Sequence, residues 1–281
     1  MSTVDRRGFI AGTAAALLGV AATKAFGGTN EMDRLGAIGI QLYTVRELMK
    51  EDVARALAAV AKAGYSEVEF AGYFGIPAAE VRKMLDENGL TSPSAHVQMT
   101  DLTDKWDAML DFANVLGQKY LAVAWIDEPD RTIAGYTKIA ATFNRAGERA
   151  RAMGVQFAYH NYNYEFKSID GTVPYELLLK ECDPQNLVME ADVFWMRQAG
   201  QNPLDWFARA PGRFHMLHAK DMGPPPKNEM LDVGDGVVDW RALLSKQKEA
   251  GVRYVFVEND EAKDPLASAA KSYRYLRALR Y

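Results

Sequence analysis

Eight short apolar runs, each of six to eight residues, recur along the chain between residues 38 and 259. Stretches with helical periodicity separate them, and several of these stretches end in a glycine of the kind that closes a helix. Buried strands that alternate with helices form a parallel sheet, and eight such units close naturally into a barrel. The pattern predicts an α/β fold, a single (β/α)8 TIM barrel, with strands within 38–45, 67–72, 92–97, 120–126, 156–162, 187–193, 214–220 and 254–259.

Helices are predicted over 51–63, 78–88 and 133–153, where apolar residues recur every three or four positions. An open dinucleotide-binding sheet is the competing α/β fold. It requires a glycine-rich phosphate loop after the first strand, whereas Gln41-Leu42-Tyr43-Thr44 stands there in this chain. The barrel is therefore favoured over the open sheet.

The first thirty residues follow a different pattern. The pair Arg6-Arg7 precedes Gly8-Phe9 and an alanine-rich apolar run over 11–22, an arrangement typical of a twin-arginine export signal. That run is shorter than the ~20 residues that cross a membrane. We predict a twin-arginine signal peptide over 1–30, recognised by the Tat export machinery, and a periplasmic or otherwise exported TIM barrel over 31–281. A helical N terminus that stays on the protein and an uncleaved membrane anchor are the alternatives.

Charge and cysteine content narrow the classes of partner. The chain has 33 basic and 37 acidic residues and a net charge of −4. This balance argues against nucleic acid as a partner, because tracking phosphates requires a basic face. The one cysteine, Cys182, excludes an intramolecular disulfide, and we interpret it as a packing residue at a helix end. Composition leaves the oligomeric state open, including a homo-oligomer.

Polar residues collect near the ends of the last four predicted strands, where a barrel strand should be apolar. His160 follows Tyr159, Glu190 and Asp192 share one face of their strand, and His218 and Lys220 share one face of theirs. Two carboxylates on one inward face repel each other unless a cation lies between them. Imidazole and carboxylate ligands suit Mn, Co, Zn or Fe. The sequence therefore predicts one divalent metal ion held among His160, Glu190, Asp192, His218 and Glu258.

Each of these residues also has a purely structural interpretation. His160 next to two tyrosines is compatible with a hydrogen-bonded structural histidine. Glu258 could serve only as an ion-pair partner of Lys220. His96, which ends the third predicted strand, would either line a substrate pocket or pack behind it, and His215 is expected outside the centre. The joint occurrence at four consecutive strand ends is what favours a metal site over these separate explanations.

At these residues the chain resembles the sugar phosphate isomerase/epimerase family, the xylose isomerase-like TIM barrels. The resemblance covers nearly all of the predicted mature chain. Its most specific segments are Tyr159-His160-Asn161-Tyr162-Asn163-Tyr164-Glu165-Phe166, Glu190-Ala191-Asp192-Val193-Phe194-Trp195, His218-Ala219-Lys220-Asp221 and Val233-Gly234-Asp235-Gly236-Val237-Val238-Asp239-Trp240.

The resemblance implies one divalent ion bound by Glu, Asp, His and Glu from strands five to eight. The last three ligands correspond to Asp192, His218 and Glu258 here. The first corresponds to His160, which departs from the family's glutamate. Trp195 is a second departure, because ketose epimerases of this family commonly have a histidine there. His160 in place of one glutamate argues against a symmetric 3-epimerisation by two glutamates.

The function that this resemblance implies is metal-dependent isomerisation or epimerisation of a sugar or keto-sugar through an enediolate. The predicted export favours a non-phosphorylated substrate. Catalysis is assigned to Glu258, His160 or Glu165 as the base and to Lys220 as a donor to the oxyanion. His96, Trp195, Lys220 and Tyr43 are the predicted substrate contacts. A 3-keto-glycoside lyase or hydrolase with the same metal-enolate chemistry and a non-catalytic sugar-binding protein are the alternatives. A metal-dependent endonuclease, the family's other branch, requires more histidines than the four in this chain.

Overall fold

A computed structural model of the protein describes residues 33–281. The predicted signal peptide over 1–30 lies outside the described residues. Within 33–281, none of the helices is both long and apolar enough to cross a membrane.

The barrel prediction is confirmed, because eight parallel strands close on themselves with the last strand paired to the first. The first strand is shorter than predicted. It ends at Gln41, and the segment Leu42–Val45 turns into a 3-10 helix. The Gln41 side chain accepts a hydrogen bond from the backbone N–H of Tyr43 (3.1 Å) and so favours that turn. The barrel strands are β1 Gly39–Gln41, β2 Glu67–Phe70, β3 Thr91–Val97, β4 Tyr120–Val123, β5 Gln156–His160, β6 Val188–Asp192, β7 Phe214–Ala219 and β8 Tyr254–Val257. Outside the barrel, Asp221–Met222 and Met230–Leu231 form a separate two-stranded antiparallel sheet.

The helices lie outside the barrel and follow the predicted periodicity. Asp52, Thr132 and Asp264 cap the N termini of three of them with side-chain oxygens. Gly64 closes the second helix at a φ of 113°, which glycine adopts without strain. The helices are α1 Arg46–Glu51, α2 Val53–Ala63, α3 Ala78–Glu87, α4 Trp106–Leu116, α5 Ile133–Ala152, α6 Pro174–Glu181, α7 Val193–Gln198, α8 Pro203–Arg209, α9 Trp240–Ser245, α10 Gln247–Ala250 and α11 Pro265–Ala278.

The barrel interior is built in layers, because alternate residues of each strand point inward. The lower layers are mainly apolar and include Tyr120, Val188, Met216 and Phe256, all buried. Gly39 makes room for Phe256, since a Cβ at that position would lie 2.4 Å from the phenyl ring. Above this apolar floor the inward positions change to charged residues, and this change defines the site.

Candidate functional site

Four strand ends place charged side chains above the apolar floor of the barrel. His160 ends β5, Asp192 ends β6, His218 lies in β7, and Glu258 directly follows β8. The registers pair His160 with Glu190 and Asp192 with His218 across neighbouring strands. All four side chains are buried, none more than 5% exposed. Neighbouring parallel strands therefore bring together four residues that lie far apart in sequence.

We refer to His160, Asp192, His218 and Glu258 as the β5–β8 group. One potential ligand atom from each residue lies within 4.8 Å of those from the others. His160 Nε2 is 3.2 Å from Asp192 Oδ2, and His218 Nδ1 is 2.7 Å from Glu258 Oε2. The structure thus brings together four of the five predicted metal ligands in one buried space.

Glu190, the fifth predicted ligand, belongs to a neighbouring cluster. We refer to Glu69, His96 and Glu190 as the Glu69 group. Glu190 Oε2 lies 2.7 Å from His96 Nε2, and Glu69 Oε2 lies 2.7 Å from His218 Nε2. Gln41 donates a hydrogen bond from Nε2 to Glu69 (2.8 Å). His218 therefore lies between the two groups, with Nδ1 towards Glu258 and Nε2 towards Glu69.

The pKa values of the buried histidines differ according to their neighbours. Burial opposes charge on His218, but the carboxylates of Glu190 and Glu258 hold its pKa well above the usual range. Burial lowers the pKa of His160 to about 4, an effect that the hydrogen bond with Asp192 offsets only in part and to which the nearby His218 adds. His160 is consequently neutral at pH 7, with a lone pair available for a metal or a proton.

Lys220 supplies the ammonium of the site and is only 2% exposed. Its Nζ lies 2.7 Å from Glu258 Oε2, 2.9 Å from Asp260 Oδ2 and 3.1 Å from Asp192 Oδ2. Burial disfavours the charge, but Asp192, Glu258 and Asp260 raise the pKa of Lys220 well above its usual range. This ammonium is therefore a permanent donor beside the ligand carboxylates.

The β5–β8 group fits a divalent ion on two observations. The Nδ1 atoms of His160 and His218 are buried, and neither makes a hydrogen bond. For His218 this holds even though Glu258 Oε2 is only 2.7 Å away, a contact in which a shared cation would satisfy both atoms. Carboxylates also outnumber permanent cations among the residues around His218, an imbalance that a bound cation reduces. Nitrogen and oxygen donors of this kind suit Mn, Co, Zn or Fe.

The group opens into a cavity of about 240 Å³ at the carboxyl end of the barrel. Three of the predicted substrate contacts, Tyr43, His96 and Lys220, line it together with His160 and Glu258. Trp195, the fourth, is not among the lining residues. Its backbone N–H donates to Asp192 Oδ1 (3.0 Å) at the start of α7, and its ring packs on Tyr162 with centroids 5.2 Å apart. Lys220 Nζ lies 5.9 Å from the centre of the Trp195 ring, so Trp195 contacts residues that line the cavity without lining it itself.

Glu165, one of the three predicted bases, is not brought to the cavity. It is buried behind β5, where its carboxylate accepts hydrogen bonds from the Tyr159 hydroxyl and, at 3.0 Å, from the Tyr162 N–H. Burial raises the pKa of Glu165 to about 7. Tyr159 alternates with the inward-facing residues of its strand, and Glu165 follows it to the helix side. The structure gives Glu165 a role in holding the chain after β5 and places Glu258 and His160 at the cavity instead.

Two residues of the site are absent from the sequence-based prediction, Glu69 and Asp260. Glu69 has a signal in the sequence, since a glutamate at an inward position of an apolar strand resembles the pattern that identified Glu190. Glu69 lies in β2, apart from the four consecutive strand ends on which the metal-site prediction rests. Asp260 lies beyond the end of β8, and strand periodicity does not extend to a loop residue. Its place depends on its contact with Lys220.

Comparison with known proteins identifies relatives over most of the barrel. The family described as xylose isomerase-like TIM barrel matches residues 57–279. An inosose dehydratase of Lacticaseibacillus casei is 27% identical over 202 residues, which cover 60% of this chain and 67% of that protein. The chain thus spans about two thirds of the length of the curated relatives it matches.

Solved structures give the same result for the fold. A sugar phosphate isomerase/epimerase from Parabacteroides distasonis ATCC 8503 is 26% identical with a TM-score of 0.76, covering 90% of this chain and 96% of that one. A 3-keto-D-glucoside 4-epimerase from E. coli has a TM-score of 0.69 at 17% identity, covering 87% and 100%. At that identity the likeness concerns the fold alone.

Proposed function

The chain belongs to the xylose isomerase-like TIM barrel family, and from that premise we propose that it is an enzyme acting on a non-phosphorylated keto-sugar. In this proposal the enzyme requires one divalent metal ion and removes a proton from the carbon next to the sugar carbonyl. Return of the proton at another position or on the other face isomerises or epimerises the sugar.

The observation that carries the proposal is the convergence of His160, Asp192, His218 and Glu258 below a cavity. These four residues would hold the ion. A divalent ion bound there would polarise a carbonyl and its neighbouring hydroxyl and stabilise the negative charge of an enediolate. The cavity volume and its polar lining fit one sugar ring.

The proton transfer is assigned to residues that reach the cavity. Glu258 is the first candidate for the base, because its carboxylate lines the cavity and its pKa, held below the usual range, leaves it ionised at neutral pH. Burial raises the pKa of Glu258, but the charges of Lys220 and His218 outweigh this effect. Neutral His160 is the second candidate. Lys220 would donate a hydrogen bond to the oxygen on which charge develops.

β-Elimination from a keto-sugar is a second candidate function, favoured by the similarity to an inosose dehydratase. It begins with the same proton removal but ends with departure of an oxygen substituent from the β-carbon. The Lys220–Asp260 pair lines the cavity and could protonate the departing oxygen. A 3-keto-glycoside lyase is the form of this reaction in which the leaving group is an aglycone.

Solvent exchange tests the proposal and separates its two outcomes. The purified protein would be assayed for bound metal, loaded with Mn, Co, Zn or Fe, and incubated in D2O with free keto-sugars and keto-glycosides. Isomerisation or epimerisation leaves deuterium next to the carbonyl of recovered sugar, whereas elimination releases water or an aglycone and leaves an unsaturated product. Both are visible by NMR. The proposal fails if no divalent ion binds and no substrate exchanges.

The control for this experiment is a matched pair of substitutions. Asp192→Asn keeps the hydrogen bond to the Trp195 N–H but removes a ligand charge, and we expect the exchange rate to fall by about 10³-fold or more, ~4 kcal/mol. Asp107→Asn makes the same chemical change on the outer surface of α4, where the carboxylate pairs with Arg149 (2.8 Å). It is expected to exchange at the wild-type rate.

We also propose that residues 1–30 export the protein through the Tat machinery, which fits a substrate without a phosphate group. A reporter fused to these residues should reach the periplasm. Substitution Arg6→Lys together with Arg7→Lys should retain it in the cytoplasm. Equal export of both fusions would contradict the proposal.

A further inference from the structure

A second concave space adjoins the cavity and extends away from it along the outside of β3. This groove has a volume of about 610 Å³, more than twice that of the cavity. His96, Val97 and Gln98 line both spaces, so the two lie side by side at the end of β3. The groove lies between the loop after β2 and the segment that leads into α4.

The surface of the groove is mainly apolar. Tyr73, Ile76, Met109 and Phe112 are half-buried along it, and the rings of Tyr73 and Phe112 stack with centroids 4.0 Å apart. These apolar side chains are only partly covered in the folded protein, although residues of this kind are usually buried.

Two of the polar groups in the groove already have partners. The Tyr73 hydroxyl donates to Gln118 (2.8 Å), and Asp101 accepts a hydrogen bond from the Gln98 N–H (2.9 Å). A second sugar ring in this groove would bury hydroxyl groups against apolar side chains, which costs free energy for every hydroxyl left without a partner. A flat apolar group would not incur that cost.

The loop after β2 shows a further feature that folding does not explain. Phe74 is 46% exposed and has a φ of 56°, a left-handed conformation that is strained for a bulky residue. Such strain is found disproportionately at functional sites. The loop that carries it borders the groove through Gly72, Tyr73 and Gly75.

The volumes of the two spaces also indicate a substrate with more than one ring. Sites for drug-sized ligands occupy roughly 300–1,000 Å³, so the cavity of about 240 Å³ alone is suited to one small ring. The groove of about 610 Å³ is large enough for a second ring system joined to the first. A substrate that fills both spaces is therefore larger than a free monosaccharide.

We propose that this groove is a subsite for an apolar, ring-bearing aglycone, and that the substrate is an aromatic keto-glycoside. The sugar occupies the cavity and the aglycone lies against Ile76, Met109 and Phe112. This inference rests on the proposed function for the chemistry at the cavity. The apolar contacts of the groove are its own support.

The test compares substrates and then closes the groove. We expect kcat/KM for phenyl 3-keto-β-glucoside to exceed that for methyl 3-keto-β-glucoside and for a 3-keto-disaccharide by tenfold or more.

Met109→Trp should fill the groove and raise KM for the phenyl glycoside at least tenfold, while KM for the methyl glycoside stays within twofold of the wild-type value. Val115→Trp adds the same ring to the same helix, where Val115 is 50% exposed and lies outside the groove, and should change neither. Ile76→Trp closes the groove from its other wall if Met109→Trp does not fold.

A binding measurement keeps this test separate from the test of the reaction. Isothermal titration with phenyl β-glucoside, which has no carbonyl and does not react, should show binding to the wild-type protein and to Val115→Trp but not to Met109→Trp. This result would support the subsite even if no keto-sugar exchanged deuterium. Equal kcat/KM values for the phenyl and methyl substrates, or a Met109→Trp variant that binds phenyl β-glucoside like the wild type, would overturn the inference.

Discussion

Two histidines in one strand illustrate how the two ends of this barrel differ. His215 and His218 both belong to β7, three residues apart. His218 lies at the carboxyl end among carboxylates, and its pKa is raised. His215 lies at the amino end, 3.1 Å from the Tyr120 hydroxyl, and burial together with the charge of Arg253 lowers its pKa to about 4.

The contrast follows from the layers between the two ends. Met216 and Phe256 fill the axis below His218 and separate its carboxylate surroundings from the basic and aromatic residues around His215. A cavity opens at each end, but the amino-end cavity is lined by the cations Lys119, Arg151 and Arg253, whereas the carboxyl-end cavity is lined by Lys220 together with the carboxyl groups of Glu258 and Asp260. A functional role is therefore expected for His218 and a structural one for His215.

The largest expected effect comes from replacing the histidine at the carboxyl end of β7 and comparing it with the same replacement at the amino end. His218→Gln should abolish metal binding and reduce deuterium exchange by about 10³-fold or more, ~4 kcal/mol, because it removes a ligand. His215→Gln should retain metal content and exchange within about threefold. Metal analysis and NMR exchange rates measure both. If the two variants lost metal and exchange to the same degree, the distinction between the ends would be wrong.

A smaller effect is expected from Glu69, which lies outside the β5–β8 group but contacts its member His218 at 2.7 Å, closer than its 3.4 Å contact with His96. A carboxylate that accepts the other ring N–H of a ligating histidine fixes the tautomer and the ring orientation. Glu69→Gln should weaken metal affinity by about 10- to 100-fold, ~1.4–2.7 kcal/mol. Competition with a chelating dye would measure the affinity directly, without reference to activity.

The matched control for Glu69 is Glu67, which lies two residues earlier in β2 and towards the amino end. Glu67→Gln removes a carboxylate from the same strand and should leave metal affinity within twofold. A similar loss in both variants would show that the charge of β2, and not the contact between Glu69 and His218, controls the affinity.

These comparisons also show how far the sequence predicts the molecule. Strand and helix positions followed from periodicity, and the barrel from their number. The convergence of His160, Asp192, His218 and Glu258 followed because parallel strands end at one edge. The contacts that individual side chains make could not be predicted from periodicity. Trp195 and Glu165 lie in segments that resemble family motifs, yet neither lines the cavity. Hydrogen bonds hold Glu165 behind β5, and the Trp195 ring packs on Tyr162. The positions of such side chains depend on contacts between residues in different elements, and the pattern of apolar and polar residues along the sequence does not contain this information.

The smallest expected effect concerns stability at the amino end. The pKa of His215 is lowered in the folded protein to about 4, from a usual value of 6.5. The unfolded chain therefore binds more protons between these values, so the stabilising contribution is complete above pH 6.5 and is lost as the pH falls towards 4. Partial exposure of the side chain limits this loss to about 1–2 kcal/mol.

Urea unfolding of the metal-free protein at several pH values would measure this contribution. Between pH 6.5 and pH 4 the free energy of unfolding should fall by about 1–2 kcal/mol less in His215→Gln than in the wild type, since the variant has no titrating group at this position. Other groups, His160 among them, titrate in both proteins and cancel in the difference. Parallel pH profiles for the two proteins would show that the environment of His215 is not the source of the acid sensitivity at this end of the barrel.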